Sequence, residues 1–183
     1  LGLDPAAVTP APLAAAPPAP GPTREQMDQA SGAPPEQQRE MIRGMVDRLA
    51  ARLKQEPGDA QGWLRLAHSY RVLGEPEQAR EALDAALRAA PEDPDVLSAH
   101  AESLIAAAPP EGPVPPEASA AFAKVLARRP DDPRALYVLG LEAARAPDPV
   151  RARELWGRLL RQLDPGSPAH AELSGRIEAL PGG

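Results

Sequence analysis

Prolines at positions 57, 91 and 130, set under one another, bring three stretches of the chain into register at a period of about 34 residues. Within and around these stretches apolar residues recur at intervals of three and four, as in Met41, Met45, Val46, Leu49 and Leu53, and again in Trp63, Leu66, Ala67 and Tyr70. That spacing is the mark of amphipathic helices, and no segment alternates in the period of two that a strand requires. The chain therefore reads as all-α, a solenoid of helical hairpins that buries its apolar faces by stacking one unit on the next.

The 25 prolines divide by position. Nine fall in residues 1–35 among alanines, a composition too poor in bulky apolar groups to offset its ordering entropy, so this segment reads as a disordered Pro/Ala-rich linker. It is read as a spacer rather than a ligand for an SH3-type domain, and Thr23 with Gln26 has the spacing of a capping box that predicts one short helix. Five crowd into 109–116, and the other eleven punctuate the helical segments without interrupting them. Asp93-Pro94, Asp132-Pro133, Asp148-Pro149 and Ser167-Pro168 each place a capping side chain before a proline suited to the first helical position, and so predict four helix starts.

Trp63, Leu66, Ala67, Tyr70, Ala79, Leu83, Ala86 and Pro91 reproduce the tetratricopeptide (TPR) pattern at its offsets. In that pattern Ala67 and Ala79 let two antiparallel helices cross closely, Trp63, Tyr70 and Leu83 fill the seam, and Gly74 with Glu75-Pro76 supplies the turn. The first repeat spans 60–93. The second, 94–132, carries Leu97, Ala101, Leu104, Ala118, Phe122 and Val125 and needs an insertion, PPEGPVPP, expected to protrude between its helices. The third, 133–166, carries Leu136, Leu139, Gly140, Ala143, Ala152, Trp156 and Leu159. An N-terminal capping helix over 36–55 and a C-terminal helix over 168–180, with Leu173, Ile177 and Leu180 on one face, complete a TPR domain spanning 36–180.

Composition narrows the function. A net charge of -6 and a pI near 5.1 disfavour a nucleic-acid surface, which needs clustered Lys and Arg. The longest uncharged stretch, Pro5 to Thr23, contains seven prolines and cannot form a spanning helix, and no basic residue precedes it as in a signal peptide. There is no cysteine, hence no disulfide framework and no thiol nucleophile. None of the three histidines stands in a metal or triad arrangement: His100, at a seam position, reads as a hydrogen-bonded core histidine and His170 as exposed in the first turn of the last helix. No catalytic or phosphate-binding motif occurs, and the carboxylates alternate with arginine on predicted solvent faces. The chain is expected to be non-enzymatic and to need no cofactor.

A TPR array offers a concave face lined by the first helix of each pair. Offsets 2, 5, 9, 12 and 13 select Gln61, Leu64, His68, Arg71 and Val72; then Asp95, Ser98, Glu102, Ile105 and Ala106; then Arg134, Tyr137, Leu141, Ala144 and Arg145. This mixture of aliphatic groups and scattered charge suits an amphipathic helix laid in a groove, unless the terminal helix covers part of it. The Lys and Asn positions of a TPR clamp for a chain-terminal carboxylate hold Leu64, His68, Ala99, Arg134 and Val138, which disfavours that mode.

Two stretches carry more than repeat offsets. MIRGMVDRLAARLKQEPGDAQGWLRLAHSYRVLGEPEQAREALDAAL (41–87) and ELWGRLLRQLDPGSPAHAELSGRIEAL (154–180) closely resemble the C-terminal TPR region of the CcmI/CycH family of cytochrome c maturation factors. The resemblance covers about residues 36–180. It implies the periplasmic domain of a bacterial inner-membrane protein anchored by two N-terminal spans that are not part of this stretch. It further implies a chaperone that binds the C-terminal helix of apocytochrome c and passes the chain to the heme-ligation proteins CcmF and CcmH, with the apo form of the heme chaperone CcmE as another type of partner. A groove without thiols can hold a client bearing a reduced CxxCH heme site without trapping it as a mixed disulfide. The competing expectation is a TPR adaptor for another periplasmic or membrane complex.

Overall fold

The computed structural model describes residues 35–110 and 112–181, and among these it contains eight α-helices and no strand. They are α1 (Pro35–Gln55), α2 (Ala60–Val72), α3 (Pro76–Ala89), α4 (Pro94–Ala107), α5 (Pro116–Arg128), α6 (Pro133–Arg145), α7 (Pro149–Leu160) and α8 (Pro168–Glu178). The expected linker and its short helix after Thr23 lie outside the described residues, apart from Pro35, which opens α1. The chain divides into two units, residues 1–42 and 43–183. In the first, the described residues are the opening turns of α1; all packing below concerns the second.

Local chemistry starts the helices where the sequence predicts. Asp93 accepts from the amides of Asp95 (2.8 Å) and Val96 (3.3 Å), Asp132 from Ala135 (3.0 Å), Asp148 from Arg151 (3.0 Å) and Ser167 from His170 (3.2 Å). Each side chain satisfies amide donors that the first helical turn leaves open. Helix α2 ends in a Schellman turn: Gly74, at φ +75°, donates to the Arg71 carbonyl and Glu75 donates to that of Tyr70. Only glycine adopts that backbone without strain, so the α2–α3 hairpin depends on it.

The helices pair as α2/α3, α4/α5 and α6/α7, with α8 against α7 and each pair against the next. Their buried side chains form two clusters. One gathers Val46, Leu53, Leu66, Ala67, Ala82 and Leu83; the larger runs from Leu97 and Phe122 through Leu136 and Trp156 to Leu173. All seven residues that carry the pattern in the third repeat are buried. Helix α8 is held at its end as well, because Arg153 donates to the carbonyls of Leu180 (3.0 Å) and Pro181 (2.7 Å).

Ion pairs tie the stacked helices together over long separations in the chain. Arg43–Glu75, Lys124–Glu92, Arg128–Glu92, Arg129–Asp95 and Arg134–Glu102 each link residues 32 to 36 positions apart, close to the repeat length. They lie at the surface, where each is worth little alone, and they favour one register of stacking over its neighbours.

The structure corrects several expectations. Trp63 and Tyr70 flank their seam half-buried, and the Trp63 indole donates to the Pro57 carbonyl at 3.1 Å. On α1, Val46 and Leu53 are buried but Met45 is 37% exposed, because one stripe of the helix carries the packing. His100 is no core histidine: its side chain is 23% exposed and lies 4.0 Å from Asp84 Oδ1. His170, expected in solvent, is half-buried with Nδ1 3.5 Å from Ser174 Oγ. The proline-rich insertion is tied down rather than protruding. Val114 packs on the larger cluster, and the Gly112 carbonyl accepts from Arg145 Nη1 at 2.6 Å.

Candidate binding groove

Of the first helices of the hairpins, α2 contacts α4, and α4 and α6 border one chamber whose far side is α8. Two chambers open along these helices. The larger, about 670 Å³, is walled by the end of α4 (Glu102, Ile105, Ala106), by α6 (Pro133, Arg134, Tyr137, Val138), by Leu159 and Leu163, and by Ala169, Glu172, Leu173 and Arg176 of and around α8. The smaller, about 420 Å³, lies at the junction of α2, α3 and α4, against the smaller core cluster. It exists because Ala67, Ala79, Ala99, Ala106 and Ala107 are too small to fill that junction.

Glu102 lines both chambers. Its carboxylate accepts from Arg134 Nη1, so one ion pair ties α4 to α6 between the chambers. Across the larger chamber Arg176 donates to Glu172 at 2.9 Å, and that hydrogen bond, with Tyr137 nearby, holds the guanidinium above its ordinary range. The walls are otherwise aliphatic apart from Tyr137, whose ring is exposed while its carbonyl is held from behind by Trp156. Among the described residues no three His, Asp or Glu side chains gather as a metal site. This arrangement can take up an apolar stripe and bind charge at its rim.

Of the sequence-predicted lining, Leu64, His68 and Arg71 line the smaller chamber, Glu102 lines both, and Ile105, Arg134 and Tyr137 line the larger. Gln61, Val72, Ser98, Leu141 and Arg145 line neither. Ser98 is 8% exposed, because Val96, Leu97 and Ser98 are buried in succession where α4 is pressed between α2, α3 and α5. Val72 is 69% exposed at the end of α2, Gln61 is exposed at its start, and Leu141 packs half-buried on the core. Arg145 is occupied by the inserted loop.

The predicted lining omits α8, treated in the sequence as a cap. Counted from Pro168, offsets 2, 5 and 9 fall on Ala169, Glu172 and Arg176, all of which line the larger chamber. The signal was present in the residues of α8 themselves.

Helical hairpins stacked at this period, with chambers bordered by their first helices, define a tetratricopeptide-type repeat domain. Two crystal structures of MamA share the fold, with TM-scores of 0.57 and 0.54 at 18% identity. They align over 78% and 83% of this chain and 80% and 82% of theirs, and at that identity the likeness concerns the fold alone.

The model of the cytochrome c-type biogenesis protein H TPR domain matches residues 23–170, and the chain belongs to that family. It is 55% identical over 51 residues to the cytochrome c-type biogenesis protein CycH of Rhizobium meliloti (strain 1021), which is 28% of this chain and 13% of the relative. Against CycH of Bradyrhizobium diazoefficiens it is 45% identical over 64 residues, 35% of this chain and 17% of the relative. The matched stretches thus span less than a fifth of these relatives. No helix among the described residues is long and apolar enough to cross a membrane.

Proposed function

We propose that this domain is a non-enzymatic client-binding module of cytochrome c maturation. It receives the C-terminal amphipathic helix of apocytochrome c along the groove and presents the client to the heme-ligation proteins CcmF and CcmH, with apo-CcmE as a further partner. The observation that carries this reading is the larger chamber, a mainly aliphatic cleft between consecutive repeats in a chain of the CycH family. Its shape suits one face of a helix, with anchor side chains one turn apart entering side by side. In this reading the domain works in the periplasm, tethered to the inner membrane by segments outside this chain.

The absence of cysteine fits such a client, whose reduced heme-site thiols find no partner in the groove. Titration with a peptide copying the C-terminal helix of a c-type cytochrome tests the proposal. Saturable binding is expected, and no measurable binding at about 100 μM peptide, an affinity weaker than roughly 5–6 kcal/mol, would exclude it. A cysteine placed at the exposed Ala106, beside Glu102, should crosslink to the heme-site thiols of a bound apocytochrome.

A further inference from the structure

The smaller chamber holds a cation that its own neighbours leave unanswered. Around the groove Arg80 is paired with Glu77, Arg134 with Glu102 and Arg176 with Glu172, while Arg145 holds the Gly112 carbonyl. Arg71 differs. Its Nη2 donates to His68 Nδ1 at 2.9 Å, and among the described residues no carboxylate lies within ion-pair distance of it. A guanidinium can only donate, so in this contact His68 accepts through Nδ1. The pair thus presents a fork of free guanidinium N–H groups above a wall of Leu64, Ala67, Ala79 and Leu83.

We propose that this chamber binds a carboxylate of the client helix, with Arg71 as its ion partner and His68 orienting the guanidinium, while apolar client side chains occupy the larger chamber. The proposal rests on the helix-in-groove reading and adds to it the chemistry and position of a second anchor. Three observations support it: the fork matches a carboxylate in geometry and charge, the apolar wall below suits the methylenes of an acidic side chain, and the other groove arginines are already engaged. A lysine at the same place on a competing helix meets repulsion, which makes Arg71 a determinant of specificity. The carboxylate can belong to an Asp or Glu side chain or to the chain terminus.

Fluorescence anisotropy with a labelled peptide copying the C-terminal helix of a c-type cytochrome tests this. Arg71 is exposed at the end of α2, so Arg71→Gln and Arg71→Glu should fold, which circular dichroism verifies. Arg71→Gln is expected to weaken binding about tenfold, the size of one charge-assisted hydrogen bond, and Arg71→Glu further. Arg71→Glu should regain affinity for a peptide whose acidic residues are replaced by lysine. Amidation of the terminus alone, set against replacement of Asp and Glu by their amides, separates the two carboxylate sources. Unchanged affinity of Arg71→Gln, with Tyr137→Ala still weakening the same peptide, overturns the carboxylate subsite and leaves the groove reading standing. Failure of every peptide to bind overturns both.

Discussion

The Trp156 indole lies so close to Gly140 that a Cβ at position 140 would overlap its Cδ1 and Nε1, and the same Nε1 donates to the Tyr137 carbonyl at 3.1 Å. Helices α6 and α7 therefore meet at a point where only hydrogen fits. Gly140→Ala gains about 1 kcal/mol of helix propensity and forces the ring away, a crowding that costs about 1–3 kcal/mol. Net destabilisation is expected in a thermal melt, together with a changed Trp fluorescence spectrum, and replacing Trp156 by leucine as well should relieve the crowding.

The two tryptophans should differ. Trp156 is 2% exposed at the centre of the larger cluster, so Trp156→Ala is expected to cost about 3–5 kcal/mol. Trp63 is half-buried at the edge of the smaller cluster and loses less when truncated. Urea denaturation ranks the pair, and equal midpoints for the two variants would contradict this reading of the packing.

Removing a helix cap should lower stability by an amount set locally. Asp93→Ala and Asp132→Ala each leave amide donors of the next turn unpaired, at a cost of about 1 kcal/mol. Denaturant midpoints measure this, and replacement of either residue by asparagine should restore most of the loss.

Asp95 and Arg129, near the two ends of the second repeat, form a contact that depends on pH. The hydrogen bond from Arg129, together with its charge, holds the Asp95 carboxyl below the ordinary value of about 3.9. A carboxyl whose pKa is lower in the folded chain contributes stability that is present above the unfolded value and lost as pH falls through the folded one. Both side chains are largely exposed, so solvent screens the pair and its contribution is small. Arg129→Ala should raise the Asp95 pKa in a carboxyl NMR titration. The stability difference between this variant and the native chain should close at pH values below the carboxylate range.

Binding and folding separate at two neighbours on α6. Tyr137 faces the larger chamber with an exposed ring, and Tyr137→Ala should weaken client-helix binding with little change in melting temperature. Leu141, also selected by its offset, packs on the core and lines neither chamber, so Leu141→Ala should lower stability first. Isothermal titration beside a thermal melt reads both effects.

Much of the fold was legible in the residues. Apolar spacing marked the buried stripe in the third repeat, while Met45, Trp63 and Tyr70 stand outside it, and Asp-Pro and Ser-Pro steps marked helix starts because capping is a contact within one turn. The lining was legible in part. Offset counting treats every repeat as equivalent, and His68, Glu102 and Tyr137, which it selects, line a chamber. Ser98, enclosed by three helices, and Arg145, held by an insertion that the repeat pattern does not describe, line neither chamber.

The chain's own residues determined the helical class, the repeat register, the capped helix starts and the family. The tertiary structure decided that α8 serves as a fourth groove wall, that the proline-rich insertion lies against α6, and that Arg71 has no acid partner among the described residues. The physical reason is range. Periodicity and capping act within a few residues along one helix, whereas a chamber left by small alanines, or a charge left unpaired, depends on side chains about one repeat apart that meet only when the hairpins stack.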